Sequence, residues 1–313
     1  GDGLDARIGS LINSGTLYAS GSVRIQAAGL IDNSGTLAGA GNVRLQATSL
    51  AGSAASLLGA GIRDDGSLAG SGDLLVATTD ILAANGGNIA AGRLAFEGRS
   101  VDLAGATTQG KQVAVLARSG DIVTAGGRVA TPGELALSAR AAPGSRLDNR
   151  AGSLVAEHLN IDAANIDNRL GSIEQSGSAA TTLALAAPDG VLDNRGGLLA
   201  GNGVDFTIAA HTLLNRDGRI AHAGSGVLSL AVMIILIYLV KGVSPVGVGV
   251  AGAVAHNTAQ VGVAMLVLQT SQLVYYMAIL IAVAIVTGAL TGTVAKLLMY
   301  YLPKERKALF SQT

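Results

Sequence analysis

The side chains best placed to do chemistry are His256, Asn257 and Gln260, which lie in the patch Val254-Ala255-His256-Asn257-Thr258-Ala259-Gln260 inside an apolar stretch. An imidazole and two carboxamides at intramembrane depth are costly unless they pair or face a cavity, which makes them a candidate intramembrane polar site. Two uses fit them: a substrate site between helices, or a set of interhelical hydrogen bonds. Elsewhere the chemistry thins out. His158, His211 and His222 are scattered, with no second His or carboxylate at a zinc spacing such as H-E-x-x-H. The absence of Cys removes thiolate nucleophiles, Cys-based zinc sites and disulfides together. Asp64-Asp65 and Asp193 read as turn formers, because a solvated corner gives an acid-base pair no pocket to work in. Gly39-Ala40-Gly41 and Gly201-Asn202-Gly203 begin like dinucleotide loops but lack the third Gly and the helix that must follow. A G-G-x-G-x-D calcium signature is missing too. No catalytic residue, metal or cofactor is expected, and the chain reads as a non-enzyme.

The surrounding elements fall into two compositional regimes that meet near Ser225. All four Met and five of the six Tyr follow it. Before it the basic residues are fifteen Arg and Lys111, with 16 basic against 20 acidic residues, a net of −4; after it the balance is 5 to 1, or +4. A first part at −4 with no basic run and no interleaved aromatics excludes nucleic acid as a partner. The chain begins at Gly1 with no basic n-region and apolar h-region, so no secretory signal is visible and the sequence reads as a fragment. The expected organisation is a repeat shaft over residues 1–225 and a transmembrane helical segment over 226–313.

The first part repeats. Laid over each other at an offset of twenty, residues 11–30 and 31–50 share eleven identities, including Asn13-Ser14-Gly15-Thr16-Leu17 on Asn33-Ser34-Gly35-Thr36-Leu37. Degenerate copies follow at Asp65-Gly66-Ser67-Leu68, Leu147-Asp148-Asn149-Arg150, Ile166-Asp167-Asn168-Arg169, Leu192-Asp193-Asn194-Arg195 and Leu213-Leu214-Asn215-Arg216. Each copy joins a turn cluster to a short alternating run. In Val23-Arg24-Ile25-Gln26-Ala27 alternation puts Val23, Ile25 and Ala27 on one face and Arg24 and Gln26 on the other, a half-buried strand. Asn13, Asn33, Asn149, Asn168, Asn194 and Asn215 mark the repeat turns, since Asn tolerates positive φ and bonds nearby backbone. A rung of about twenty residues cannot bury its few apolar side chains alone and must stack on its neighbours. The expected fold is an all-β right-handed parallel β-helix, a solenoid of about eleven rungs and roughly 50 Å at the usual strand spacing.

These copies resemble the repeat shaft of filamentous haemagglutinin-type adhesins and contact-dependent growth inhibition exoproteins. Leu192-Asp193-Asn194-Arg195-Gly196-Gly197-Leu198-Leu199-Ala200-Gly201-Asn202-Gly203 carries the family pattern most fully, and the resemblance covers about residues 1–230. It implies a stalk delivered by two-partner secretion to the cell surface, there to meet a receptor on a host or neighbouring cell.

After Ser225, apolar stretches at about 223–240, 246–268 and 273–302 predict two to three transmembrane helices in contact with membrane lipid; the first is short for a span of about twenty residues. Lys241 follows the first stretch, and Lys304, Arg306 and Lys307 follow the third. The positive-inside rule then puts the C-terminus in the cytoplasm and the repeat outside. Gly288 and Gly292 form a G-x-x-x-G on the third stretch and Gly249 with Ala253 a looser version on the second, positions for close helix packing. Residues Ser244-Pro245-Val246-Gly247-Val248, with Gly252-Ala253-Val254-Ala255-His256-Asn257 and Gln260, resemble the C-terminal part of the Gx transporter family, also labelled heptaprenyl diphosphate synthase component I. Ala259 departs from the pattern, where Gly is more usual before the Gln. That resemblance, over about 228–303, implies a substrate-binding subunit like those of energy-coupling-factor transporters, with energising subunits as partners and its first helices absent.

Three readings therefore stand: an adhesin or exoprotein shaft joined to a partial membrane domain, a transporter subunit whose N-terminal portion has been replaced, and an artificial chimera with no single function.

Overall fold

A computed structural model of the chain describes residues 2–177, 182–202, 205–222, 232–236, 244–268 and 274–301. The chain divides into two compact units, Gly1–His222 and Ala223–Thr313.

The first unit is a parallel β-solenoid. Strands β1 (Leu4–Ile8), β2 (Leu11–Asn13) and β3 (Thr16–Ala19) make the first turn, and β4 (Val23–Ala27), β5 (Leu30–Asn33) and β6 (Thr36–Gly39) the second. Each strand pairs in parallel with its counterpart one turn on: β1 with β4, β2 with β5, β3 with β6. The stacking continues to β25 (Asp205–Leu214) and β26 (Arg219–His222), giving 26 strands among the described residues in one ladder of about 10 turns. Alternation explains why these segments are strands. Val23, Ile25 and Ala27 are buried and Arg24 is exposed, because successive side chains leave a pleated backbone on opposite faces. Register then lines up like with like: Leu4, Val23, Val43, Leu74, Leu94, Val113, Leu135 and Leu159 occupy one position on successive turns. Past the first of these the column is buried, and each such side chain contributes about 1.5–3 kcal/mol by leaving water. Phe96 is the one fully buried aromatic ring among the described residues, in an interior where Leu, Val, Ile and Ala predominate and buried Asn and Thr side chains are also found.

Two sequence expectations change. The copy at Asp65-Gly66-Ser67-Leu68 is not a rung. It lies in an antiparallel excursion between β9 (Leu57–Ala60) and β10 (Leu74–Thr78), with Ile62 bridged to Leu68 and the Arg63 amide donating to the Ser67 carbonyl at 2.9 Å. Local turn chemistry imitates the repeat there without the alternating run that must follow, so the turns number about 10 rather than eleven.

The second change concerns the membrane segment. Helices α1 (Pro245–Leu268) and α2 (Val274–Tyr301) are described, and residues 232–236 are also helical. Ser244 caps α1, its Oγ accepting from the Gly247 amide at 3.1 Å, with Pro245 at the first helical position where no amide partner is needed. Among the described residues one helix, Val274–Leu297, is long and apolar enough to cross a membrane, against two to three expected. The 223–240 stretch lies mostly outside the described residues. In α1, His256, Asn257, Thr258 and Gln260 interrupt the apolar run at its centre. Lys241, Lys304, Arg306 and Lys307 also lie outside the described residues.

Candidate functional site

Side-chain chemistry in the solenoid concentrates at one corner, where the Asp-Asn-Arg copies stack. The Asn residues do not sit in the left-handed region; that conformation falls two residues later, at Ala151 (φ 52°), Leu170 (φ 57°), Gly196 (φ 65°) and Asp217 (φ 58°). The Asn side chains instead turn inward. Asn33, Asn149, Asn168 and Asn194 are completely buried, where an unpaired amide would be expensive. They satisfy one another. Thr124 Oγ1 donates to Asn149 Oδ1 at 2.8 Å, and Asn149 Nδ2 to Asn168 Oδ1, Asn168 Nδ2 to Asn194 Oδ1 and Asn194 Nδ2 to Asn215 Oδ1, each at 2.7 Å. Each of these Nδ2 groups also reaches a backbone carbonyl of the next turn, at Ser172, Leu198 and Arg219. Asn13 repeats the pattern at the other end, donating to Asn33 Oδ1 at 2.7 Å and to the Thr36 carbonyl at 2.9 Å. Every donor points toward the C-terminal end, so the ladder has a direction. No buried side-chain nitrogen or oxygen among the described residues lacks a partner. Three residues after Asn149, Asn168, Asn194 and Asn215 stands a glycine, and a methyl on Gly171 or Gly197 would collide with the carbonyl of Asn149 or Asn168 on the turn below.

The flanking Asp and Arg face outward. Arg150 grips Asp148 through Nε and a terminal nitrogen at 2.8 and 2.7 Å, Arg169 grips Asp167 at 2.9 and 2.7 Å, and Arg195 grips Asp193 at 2.9 and 2.6 Å. Longer contacts of 3.8 and 3.7 Å link Arg150 to Asp167 and Arg169 to Asp193, so the pairs form a continuous column up the corner. Burial pushes the Asp148 carboxyl up, but the bonds and charge of Arg150, with the charge of Arg146, hold it below the usual carboxylate range. The side-chain bonds from Arg195 do the same for Asp193 against its partial burial. Arg150, Arg169, Arg195, Arg216 and Leu170 line an open groove of about 480 Å³ along this column.

The other sequence candidates sit apart from it. Asp64 and Asp65 lie on the excursion, where Asp65 accepts from the Ser67 amide at 2.8 Å and its carboxyl is held low chiefly by its bonds to Ser67. Among the described residues no three His, Asp or Glu side chains converge as metal ligands.

In the helical unit α1 and α2 pack through glycine. A methyl on Gly249 would lie 2.6 Å from the Gly288 carbonyl, one on Gly288 2.6 Å from Val250 Cα and 3.0 Å from the Ala253 methyl, and one on Gly292 2.6 Å from Val246 Cα. One turn along, Asn257 Nδ2 donates to the Leu280 carbonyl at 2.9 Å, tying α1 to α2. His256 and Gln260, four residues apart, share a face of α1. The sequence did not single out Thr124, the outward Asp–Arg column or the left-handed residues Ala151, Leu170 and Asp217. The column had a signal: Asp and Arg two apart on an extended segment face the same way, and the pair recurs once per turn.

Taken by class, the chain is a parallel β-solenoid shaft with a directional Asn ladder, followed by a glycine-packed apolar helix pair. Comparison finds two kinds of likeness. Over 123 residues, 39% of this chain, it is 41% identical to Toxin CdiA of Yersinia pestis. Over 51% of the chain it is 33% identical to Toxin CdiA of Escherichia coli. The chain spans 4% and 6% of the length of those two proteins. The heptaprenyl diphosphate synthase component I family matches residues 207–298, starting inside β25 rather than at residue 228. No solved structure matches.

Proposed function

We propose that the solenoid is a non-enzymatic shaft of a surface-exposed, contact-dependent exoprotein, and that it works by display and cell contact. Its partner is then a receptor on a neighbouring or host cell. The observation that carries this is the parallel ladder of about 10 turns, stacked strand on strand around an apolar interior, with open grooves on its outer face. The likeness to the two CdiA proteins supports the same role. The shaft is taken as residues 1–225 and the membrane part as 226–313, with the repeat outside, the C-terminus cytoplasmic and α2 in contact with lipid. On intact cells, external protease should then remove an epitope placed in the shaft and spare one fused after Thr313. Purified shaft should compete with cell-to-cell binding. An epitope protected from outside, or no competition, would refute the proposal.

The match over 207–298 favours a second reading, a transporter subunit using His256, Asn257 and Gln260 together with energising subunits. In reconstituted vesicles His256→Ala would then abolish substrate uptake. Unchanged uptake would leave these side chains the packing role that the bond from Asn257 to Leu280 already gives one of them.

A further inference from the structure

The excursion at 61–73 forms one wall of a groove on the outer face of the solenoid. The floor comes from the third side of successive turns: β12 (Gly87–Ala90), β15 (Thr107–Gln109) and the first halves of β18 (Arg128–Ala139) and β20 (Ser153–Ala163). In register, Gly59, Ile89, Gln109, Ala130 and Val155 occupy one outward position on successive turns. That position already accepts an apolar side chain laid across it. On the first of these turns the Ile62 side chain lies there, and a methyl on Gly59 would collide with its Cδ1. Further along, the column is uncovered. Ile89, Ala130 and Val155 are only half-buried, and Leu68 on the excursion is 54% exposed beside them. The groove measures about 440 Å³, within the range of small-molecule sites.

Its charge is one-sided. Lys111 and Arg128 line it and no carboxylate does, although the shaft as a whole is net negative. Lys111 is the shaft's one lysine. Its Nζ donates to the Gly70 carbonyl at 2.7 Å, which pins the excursion in place and leaves two N–H groups over. Arg128 takes part in no ion pair among the described residues. Glu174, further along the same face, acts on it by charge alone, and burial pushes that carboxyl up, toward its neutral form. The groove at the Asn corner differs in this respect. Its Arg150, Arg169 and Arg195 are each gripped by an Asp, so their charge is already met.

We propose that the groove beside the excursion binds a small organic anion with an apolar body. The body lies along Ile89, Ala130 and Val155 against Leu68, as Ile62 lies on Gly59. Lys111 and Arg128 attract the anionic group, and the Gln109 amide offers a further donor on the floor. Both features are needed. A cation on an open face holds an anion weakly because water screens the pair, and an apolar floor alone does not select for charge.

The test is calorimetric titration of the full chain, held in lipid discs with neutral headgroups, against phenylbutyrate. Phenylbutanol and acetate probe the apolar and anionic halves separately, and empty discs supply the baseline. Phenylbutyrate should bind saturably, and the other two at least about tenfold more weakly. Arg128→Gln leaves the Lys111 clamp on the excursion intact and should weaken phenylbutyrate binding about tenfold. Val155→Asp, which sets a carboxylate on the floor, should abolish it. Arg219→Gln is the control: Arg219 stands in the column of Arg128 four turns on, outside the groove, and its loss should change nothing. The ligand series needs no variant, so it decides even where a substitution harms folding. Absent saturable binding of phenylbutyrate, equal affinity for phenylbutanol, or wild-type affinity in Arg128→Gln would each overturn the proposal.

Discussion

At the scale of single residues, the corner Asn side chains carry the most consequence, because each serves its neighbours on both sides. Asn168→Ala would leave Asn149 Nδ2 without its 2.7 Å acceptor and Asn194 Oδ1 without its 2.7 Å donor in a buried site. The expected loss is about 1–3 kcal/mol for each stranded group, read as a fall in the denaturant midpoint; an unchanged midpoint would show that water replaces the ladder. The outward carboxylates predict a pH dependence of definite sign. Asp148 and Asp193 have lowered folded-state pKa values, so the folded protein takes up their protons less readily than the unfolded chain. Their contribution is complete above the ordinary Asp value of about 3.9 and is lost as pH falls through the lowered folded values. Melting temperature should drop in that acid window, and Asp148→Asn with Asp193→Asn should be less stable at pH 6 but flatter below pH 4. An equally steep acid fall in the double variant would assign the effect to other groups.

Among the elements, the strands are set by alternation and the helix pair by glycine. With a methyl on Gly288 already 2.6 Å from Val250 Cα, Gly288→Leu must push α1 and α2 apart. That separation also draws Asn257 away from the Leu280 carbonyl. Fluorescence transfer between labels on α1 and α2 should fall in Gly288→Leu, while Val286→Leu, on an exposed position of α2, should leave it unchanged. Equal transfer in both would mean that the glycines do not set the approach. The sequence offered these glycines as packing positions through their spacing, and the transfer measurement is the test of that expectation. The excursion at 61–73 was misread, because its Asp-Gly-Ser turn has the repeat's local chemistry and only the missing register reveals that it stands outside the ladder.

For the whole molecule, a solenoid is stabilised turn by turn, so residues 1–222 should hold together without the helical unit. Produced alone, that segment should be soluble with a β-type circular dichroism spectrum; a helical or disordered spectrum would contradict the fold. Much of this was written in one dimension. The twenty-residue repeat, the alternation around Val23 and Ile25 and the compositional change near Ser225 determined a stacked parallel β-fold followed by apolar helices, because period and composition are properties of the chain itself. Tertiary structure alone decided that the corner Asn side chains turn inward as a directional ladder, that Leu170 rather than Asn168 takes the left-handed conformation, and that Ile89 and Val155 share one outer column. Those outcomes depend on which residue lies one turn above another. That pairing is set by turn lengths of unequal size and by packing between strands far apart in sequence, so no local pattern contains it.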